Sequence, residues 1–212
     1  MSKTNKTLRG LYAITPADNL LPRLSTLVGL ALEGGTRLVQ YRNKDAPMPQ
    51  KRSQAAELLR ICHAHDAKLI VNDDVWLAIE IGADGVHLGR ADADAVMARQ
   101  ALGPKRLLGV SCYDDIECAV MAEAAGADYV AIGSMFASVT KPRATRAPLD
   151  LITETKRRVN VSVVAIGGIK LENASEVLAA GADMVAVVSD LFDAMDIKGR
   201  ATAFQKLFDR DR

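Results

Sequence analysis

The sequence predicts an α/β fold, a single (β/α)8 TIM barrel with its active site at the C-terminal ends of the strands. Three observations predict it. Eight short, β-rich apolar runs recur along the chain with helix-period stretches between them. The runs are continuously apolar rather than alternating, as parallel strands covered on both faces are. A phrase also repeats: "IGADGVHLG", "AGADYVAIG" and "AGADMVAVV" each close a helix with Gly-Ala-Asp and enter a strand at once, and "EGGTRLVQY" is a looser fourth copy. Eight such units in 212 residues, without a linker or a composition break, fit one closed barrel. The alternative, an open doubly wound sheet, places a Gly-rich fingerprint after its first strand, and the first run here continues as "AITPADN". The expected organisation is one barrel domain over residues 1–212, with residues 1–7 as a flexible N-terminal tail.

The elements follow in order. The polar start "MSKTNKT" lacks the apolar stretch of a signal peptide and precedes the first strand run, "LYAIT" (11–15). "RLVQYR" (37–42) puts Gln40 and Arg42 on one alternating face, with Lys44 just beyond. "KLIVND" (68–73) ends on Asn72 and Asp73, and Asp74 stands where a helix N-cap belongs. "GVHLG" (85–89) contains His87, read as a hydrogen-bonded core or rim residue rather than a catalyst, and leads to Asp92. "RLLGVS" (106–111) ends on Ser111. "YVAIGS" (129–134) runs into the hydroxyl- and base-rich loop "FASVTKPRATR". "VSVVAIGG" (161–168) ends on Gly167 and Gly168, and "MVAVVS" (184–189) on Ser189. Gly82, Gly126 and Gly181 suit the position just past a helix end, and the Asp residues after the repeats, on the stability face, are read as structural.

Composition excludes several functions. A net charge of +1 leaves no basic excess for nucleic-acid backbones or membrane surfaces. No apolar run approaches the ~20 residues of a membrane span. Cys62, Cys112 and Cys118 have no metal-type spacing and an odd count, which reads as reduced thiols in a cytoplasmic protein. Trp76 and the few other aromatics build no stacking platform, and His63 and His65 lie on a polar, solvated helix end.

Chemistry in a barrel belongs at the C-terminal strand ends. There the sequence collects Gln40, Arg42, Lys44, Asn72, Asp73, Asp92 and Lys141: two carboxylates on neighbouring units among several cations. Mg²⁺ takes one or two carboxylates and leaves its remaining positions to water and phosphate oxygens, so this set suits a metal-held diphosphate. The glycines of "AIGGI" and the "VVSD" after the eighth strand make a second, metal-free anion site of backbone N–H groups. Two phosphorylated substrates meeting in one barrel is the inference. A sugar-phosphate isomerase barrel would leave the metal-type group superfluous.

At these residues the chain resembles the thiamine phosphate synthase (thiamine-phosphate pyrophosphorylase) family over about residues 8 to 209. The resemblance is carried by "QYRNK", "VNDD", "GADGVHLGRAD", "GVS", "ADYVAIGSMFASVTKP" and "AIGGI" in that order. It implies condensation of hydroxymethylpyrimidine diphosphate with a thiazole phosphate. It further implies Asp73 and Asp92 as Mg²⁺ ligands, and Gln40, Arg42, Lys44, Asn72, Ser111 and Lys141 on the pyrimidine diphosphate. Arg42, Lys44, Ser111 and Lys141 would be catalytic, and Ser138, Thr140, Gly168, Val188 and Ser189 would hold the thiazole phosphate. The chain departs from the family at Arg90-Ala91, at Cys112-Tyr113 and in the added bases Arg143 and Arg146, of which Arg146 is read as solvated. The partners expected are phosphorylated small molecules and a second copy of the chain in a homo-oligomer, with neither nucleic acid nor membrane. The related thiazole tautomerase is the nearest rival, and it needs no metal-diphosphate carboxylates.

Overall fold

The computed structural model describes residues 8–89, 94–137 and 146–209. Eight strands form one closed barrel in chain order, every neighbouring pair parallel: β1 (Gly10–Ile14), β2 (Leu38–Tyr41), β3 (Lys68–Asn72), β4 (Gly85–Leu88), β5 (Leu107–Tyr113), β6 (Tyr129–Ile132), β7 (Ser162–Ile166) and β8 (Met184–Val187). Helices alternate with them: α1 (Leu21–Glu33), α2 (Met48–Ala64), α3 (Val75–Glu80), α4 (Ala95–Leu102), α5 (Ile116–Ala124), α6 (Asp150–Arg158), α7 (Ala174–Ala179), α8 (Ser189–Phe192) and α9 (Ile197–Asp209). The (β/α)8 expectation holds.

Apolar runs become strands here because both faces of the sheet are covered. Leu11, Ala13, Val39 and Tyr41 pack outward beneath the helices, while Tyr12, Ile14, Leu38 and Ile70 fill the bore. The bore is therefore a packed second core, with a cavity where the strands end.

The repeated Gly-Ala-Asp works at the closed end. Gly82, Gly126 and Gly181 have φ of 74°, 92° and 103°, which ends each helix in the left-handed region as expected. The Asp that follows does more than begin a turn. Asp84, Asp128 and Asp183 each donate a backbone N–H to the carbonyl of Leu69, Leu108 and Val163 (3.0, 2.7 and 2.9 Å). Their carboxylates then accept the N–H of the same three residues, at 2.9, 2.8 and 2.8 Å. Each repeat so clamps the start of one strand to the start of the next. A basic side chain closes each clamp: His63 on Asp84, Arg99 on Asp128, Lys156 on Asp183. His63 is half-exposed as expected, but it is tied to Asp84.

Seven strands stop one or two residues before their apolar runs do, and one runs past its own. The fifth run, expected to stop at Ser111, continues to Tyr113 through a bulge between Ser111 and Tyr113, with Tyr113 at φ 55°. An extra residue bends a strand at a barrel rim and re-aims its side chains. The eighth strand stops at Val187, and Ser189 opens α8. The three cysteines are free thiols, and burial pushes the Cys62 thiol up to about 12, as fits an inert core residue.

Candidate active site

A cavity of ≈ 820 Å³ opens at the C-terminal ends of the strands. That size matches a small-molecule site. Its walls are the polar strand termini that interrupted each apolar run in the sequence.

On the β2–β3 side, Gln40 faces inward from β2 at 2 % exposure, and Arg42 and Lys44 follow on the chain leaving the strand. The Arg42 backbone N–H donates to Thr15 Oγ1 (3.0 Å), which fixes the exit from β2 against β1. Asn72 and Asp73 line the adjoining wall. Asp73 sits at φ 64°, a conformation Asp tolerates better than most residues, and its N–H donates to the His87 carbonyl (2.8 Å). Lys44 Nζ lies 2.8 Å from Asp73 Oδ2. Asp74 takes the helix-start role expected of it: its carboxylate accepts the Leu77 N–H (2.8 Å) and caps α3.

Deeper in the bore lies a chain of hydroxyls. Gln40 Nε2 donates to the Tyr12 hydroxyl (2.7 Å), which meets the Tyr129 hydroxyl at 2.8 Å. Tyr129 Oη lies 3.3 Å from His87 Nδ1, and His87 Nε2 lies 2.8 Å from Ser111 Oγ. His87 is thus the hydrogen-bonded core residue the sequence reading expected. Burial drives its pKa down to about 4, only partly offset by Asp73, so the ring is neutral at neutral pH. Burial likewise raises both tyrosines. Neither is a base at neutral pH.

The opposite wall comes from β7 and β8. Gly167 and Gly168 have φ of 100° and 65°, and a Cβ on them would fall 2.5 Å from Ser134 Oγ and 2.4 Å from the Ala137 carbonyl. Their absence of side chain lets the loop after β6 lie directly on this turn, with Phe136 N–H donating to the Gly167 carbonyl (2.9 Å). Val188, Ser189 and Lys170 border the same space. Asp190, next to Ser189, is held by the Leu171 N–H (3.0 Å) and Arg200 (3.2 Å).

The structure therefore brings Gln40, Arg42, Lys44, Asn72, Asp73, Ser111, Gly168, Val188 and Ser189 around one cavity. Asp92, Ser138, Thr140 and Lys141, with Arg143, lie outside the described residues. Arg146 is exposed, as expected. Sequence reasoning missed Tyr12, Tyr129 and Lys170. The first two sit inside apolar runs, where an aromatic residue reads as core; Lys170, four residues past Ile166, carried the signal of a base beside "AIGGI".

Fold and site together define the class: a (β/α)8-barrel enzyme whose cavity has a cationic wall at β2 and a glycine wall at β7. Comparison with known proteins narrows this. The family described as thiamine monophosphate synthase matches residues 11–191. The thiamine-phosphate synthase of Nitrosococcus oceani is 48% identical over 206 residues, covering 96% of this chain and 94% of that protein. That of Aromatoleum aromaticum is 50% identical over 202 residues, covering 95% and 97%. Among solved structures, thiamine phosphate pyrophosphorylase from Pyrococcus furiosus superposes with a TM-score of 0.86 at 34% identity, over 97% of this chain and 98% of that one. The chain belongs to the thiamine monophosphate synthase family, and its enzyme class is that of the thiamine-phosphate synthases, a group of transferases acting on phosphorylated small molecules. No helix among the described residues is long and apolar enough to cross a membrane.

Proposed function

We propose that the enzyme joins hydroxymethylpyrimidine diphosphate to hydroxyethylthiazole phosphate, giving thiamine phosphate and free diphosphate as a step of thiamine biosynthesis in the cytoplasm. One observation carries this reading. A single cavity has the cationic wall of Arg42 and Lys44 on one side and the glycine turn of Gly167-Gly168, with Ser189 and Lys170, on the other. Two phosphorylated molecules placed on those walls meet between them.

The reaction breaks the bond from the pyrimidine methylene carbon to diphosphate oxygen, the electron pair leaving with diphosphate. The thiazole nitrogen then forms the new bond to that carbon, a dissociative displacement in which the aminopyrimidine ring carries the transient positive charge. Arg42 and Lys44 face the charge that grows on the departing oxygens, and such preorganised donors lower the barrier; Lys141 is the third cation assigned to the diphosphate. Gln40, Asn72 and Ser111 orient the pyrimidine, while Ser138, Thr140, Gly168, Val188 and Ser189 hold the thiazole phosphate. No proton has to be taken from carbon or nitrogen, which suits a site where His87 has both ring nitrogens against hydroxyls. Positioning does most of the work.

The donor chemistry fits Mg²⁺. Asp73 offers only oxygen, stands on the cavity wall and is 24% exposed at its side chain. Asp73 and Asp92 would hold the ion, which supplies charge neutralisation to the diphosphate leaving group. The test is incubation of the purified protein with both substrates, with and without Mg²⁺. Thiamine phosphate should form only with the metal; no product in its presence refutes the reading.

A further inference from the structure

Five polar side chains from five strands make one continuous path through the barrel core, and both of its ends lie at the cavity. It runs from Gln40 on β2 to Tyr12 on β1 (2.7 Å), Tyr129 on β6 (2.8 Å), His87 on β4 (3.3 Å) and Ser111 on β5 (2.8 Å). Polar groups in such a place destabilise the fold unless each is paired. Here they are: among the described residues Thr36 Oγ1, which is not on the path, is the buried side-chain polar atom without a partner. The barrel makes room for the path as well. A Cβ on Gly109 would lie 2.0 Å from the Tyr129 ring, so β5 carries glycine where that ring crosses the bore.

The protons on the path are not independent. Each hydroxyl owns one proton, and a neutral imidazole has one N–H and one acceptor nitrogen. If no proton is left unpaired, the direction of the first bond dictates all the rest. With Gln40 donating, Tyr12 donates to Tyr129, Tyr129 to His87 Nδ1, and His87 Nε2–H to Ser111. Ser111 then turns its own proton to the cavity, and Gln40 is left with its carbonyl oxygen. A 180° flip of the Gln40 amide would reverse every bond and exchange donor for acceptor at both ends.

We propose that Tyr12, Tyr129 and His87 are positioning residues that couple Gln40 and Ser111 into one reader of the pyrimidine substrate, accepting an N–H at Gln40 Oε1 and donating to an acceptor at Ser111 Oγ. This rests on the function proposed above and adds a coupling between two contacts that would otherwise act separately. An aminopyrimidine diphosphate offers both partners: an exocyclic amino N–H, and acceptors in its ring nitrogens and phosphate oxygens. A ligand with the wrong group at either end leaves a proton or a lone pair unmatched in a dry site, and that mismatch is the source of selectivity.

The test cuts the path in the middle. Tyr129→Phe removes one oxygen and keeps the ring, which meets Tyr12 edge-on and stacks on His87. The wild type is first assayed with both substrates; absence of product overturns the function reading, and the coupling falls with it. Given product, Gln40→Met and Ser111→Ala are made singly and together in the wild-type and Tyr129→Phe backgrounds, and kcat/KM for the pyrimidine diphosphate is measured. In the wild type the double variant should lose at least about fivefold less than the product of the single losses; in Tyr129→Phe the losses should simply multiply. Multiplication already in the wild type, or equal non-additivity in both backgrounds, overturns the coupling. A merely structural defect lowers Tm without changing additivity. Should Tyr129→Phe not fold, Tyr12→Phe cuts the path one link earlier and must show the same change. Nitrogen NMR of ¹⁵N-histidine wild type gives an independent reading: with pyrimidine diphosphate bound, His87 carries its proton on Nε2, and a proton on Nδ1 overturns the assignment.

Discussion

Aspartates stand at both ends of this barrel, and the fold treats them in opposite ways. At the closed end, Asp84, Asp128 and Asp183 each receive a backbone N–H from the neighbouring strand and a basic side chain besides. Those bonds join parts of the fold to one another. At the open end, Asp73 sits in a left-handed conformation on the cavity wall, with the Lys44 ammonium 2.8 Å from its carboxylate. Lys44 is half-exposed and its chain is free to swing toward a ligand. The same residue type is thus a structural clamp before a strand and a chemical group after one.

Substituting at the two ends separates these roles. Asp73→Ala should lower kcat by about a thousandfold or more, the scale for losing a group that helps stabilise transition-state charge. Its Tm should stay within a few degrees of the wild type, since the backbone bond from Asp73 to His87 survives the substitution. Steady-state kinetics with both substrates, beside a thermal melt, checks both halves; near-full activity would remove Asp73 from the chemistry.

Asp128→Ala should behave in the reverse sense. It strands the Leu108 N–H and takes the carboxylate from Arg99, whose guanidinium is 16% exposed and keeps the carbonyls of Gly103, Arg106 and Gly126. An unpaired buried N–H together with a partly buried charge that loses its counter-ion but keeps its carbonyl acceptors costs about 2 kcal/mol. Chemical denaturation should show that loss, with kcat for the folded fraction nearly unchanged. An unstable and also inactive folded fraction would mean that the closed end communicates with the site.

His87 belongs to neither end and adds a pH dependence from the core. Its folded pKa is about 4 against an ordinary 6.5. Between those values the unfolded chain binds the proton and the folded one does not, so stability falls as pH drops from 6.5 to 4 and is level above 6.5. The full loss is about 3 kcal/mol. Urea midpoints across pH 4 to 8 measure it; His87→Asn should flatten the slope, and an unchanged slope assigns it elsewhere.

The comparison also explains what was legible in the sequence. Strands read clearly because a barrel wall is buried on both faces, so the "LIV" inside β3 and the whole of "YVAI" are apolar and buried. Site residues read clearly where a polar residue broke such a run, as at Asn72 and Asp73. Tyr12 and Tyr129 did not, because a tyrosine inside an apolar run is indistinguishable from core until its hydroxyl has a partner. That partner is 117 residues away. The clamps were half legible: the repeat placed Asp84, Asp128 and Asp183 before strands, but the bond back to the preceding strand is a tertiary fact. The bulge at Ser111–Tyr113 left no sequence mark beyond the departure at Cys112-Tyr113.

The smallest effect is expected at Lys170, the base beside the glycine wall that the sequence reading passed over. It is exposed and borders the cavity with Gly168 and Ser189, while its N–H donates to Asn173 Oδ1 (2.8 Å) and holds the turn in place. The backbone role survives truncation of the side chain. What Lys170→Ala removes is one solvent-screened cation near the second phosphate, worth up to about 1 kcal/mol. KM for the thiazole phosphate should therefore rise about threefold to fivefold, more at low salt than at high, since screening weakens exposed charges. KM for the pyrimidine diphosphate should not move. If the pyrimidine KM rises instead, the two walls are assigned to the wrong substrates, and the division of the cavity has to be reversed.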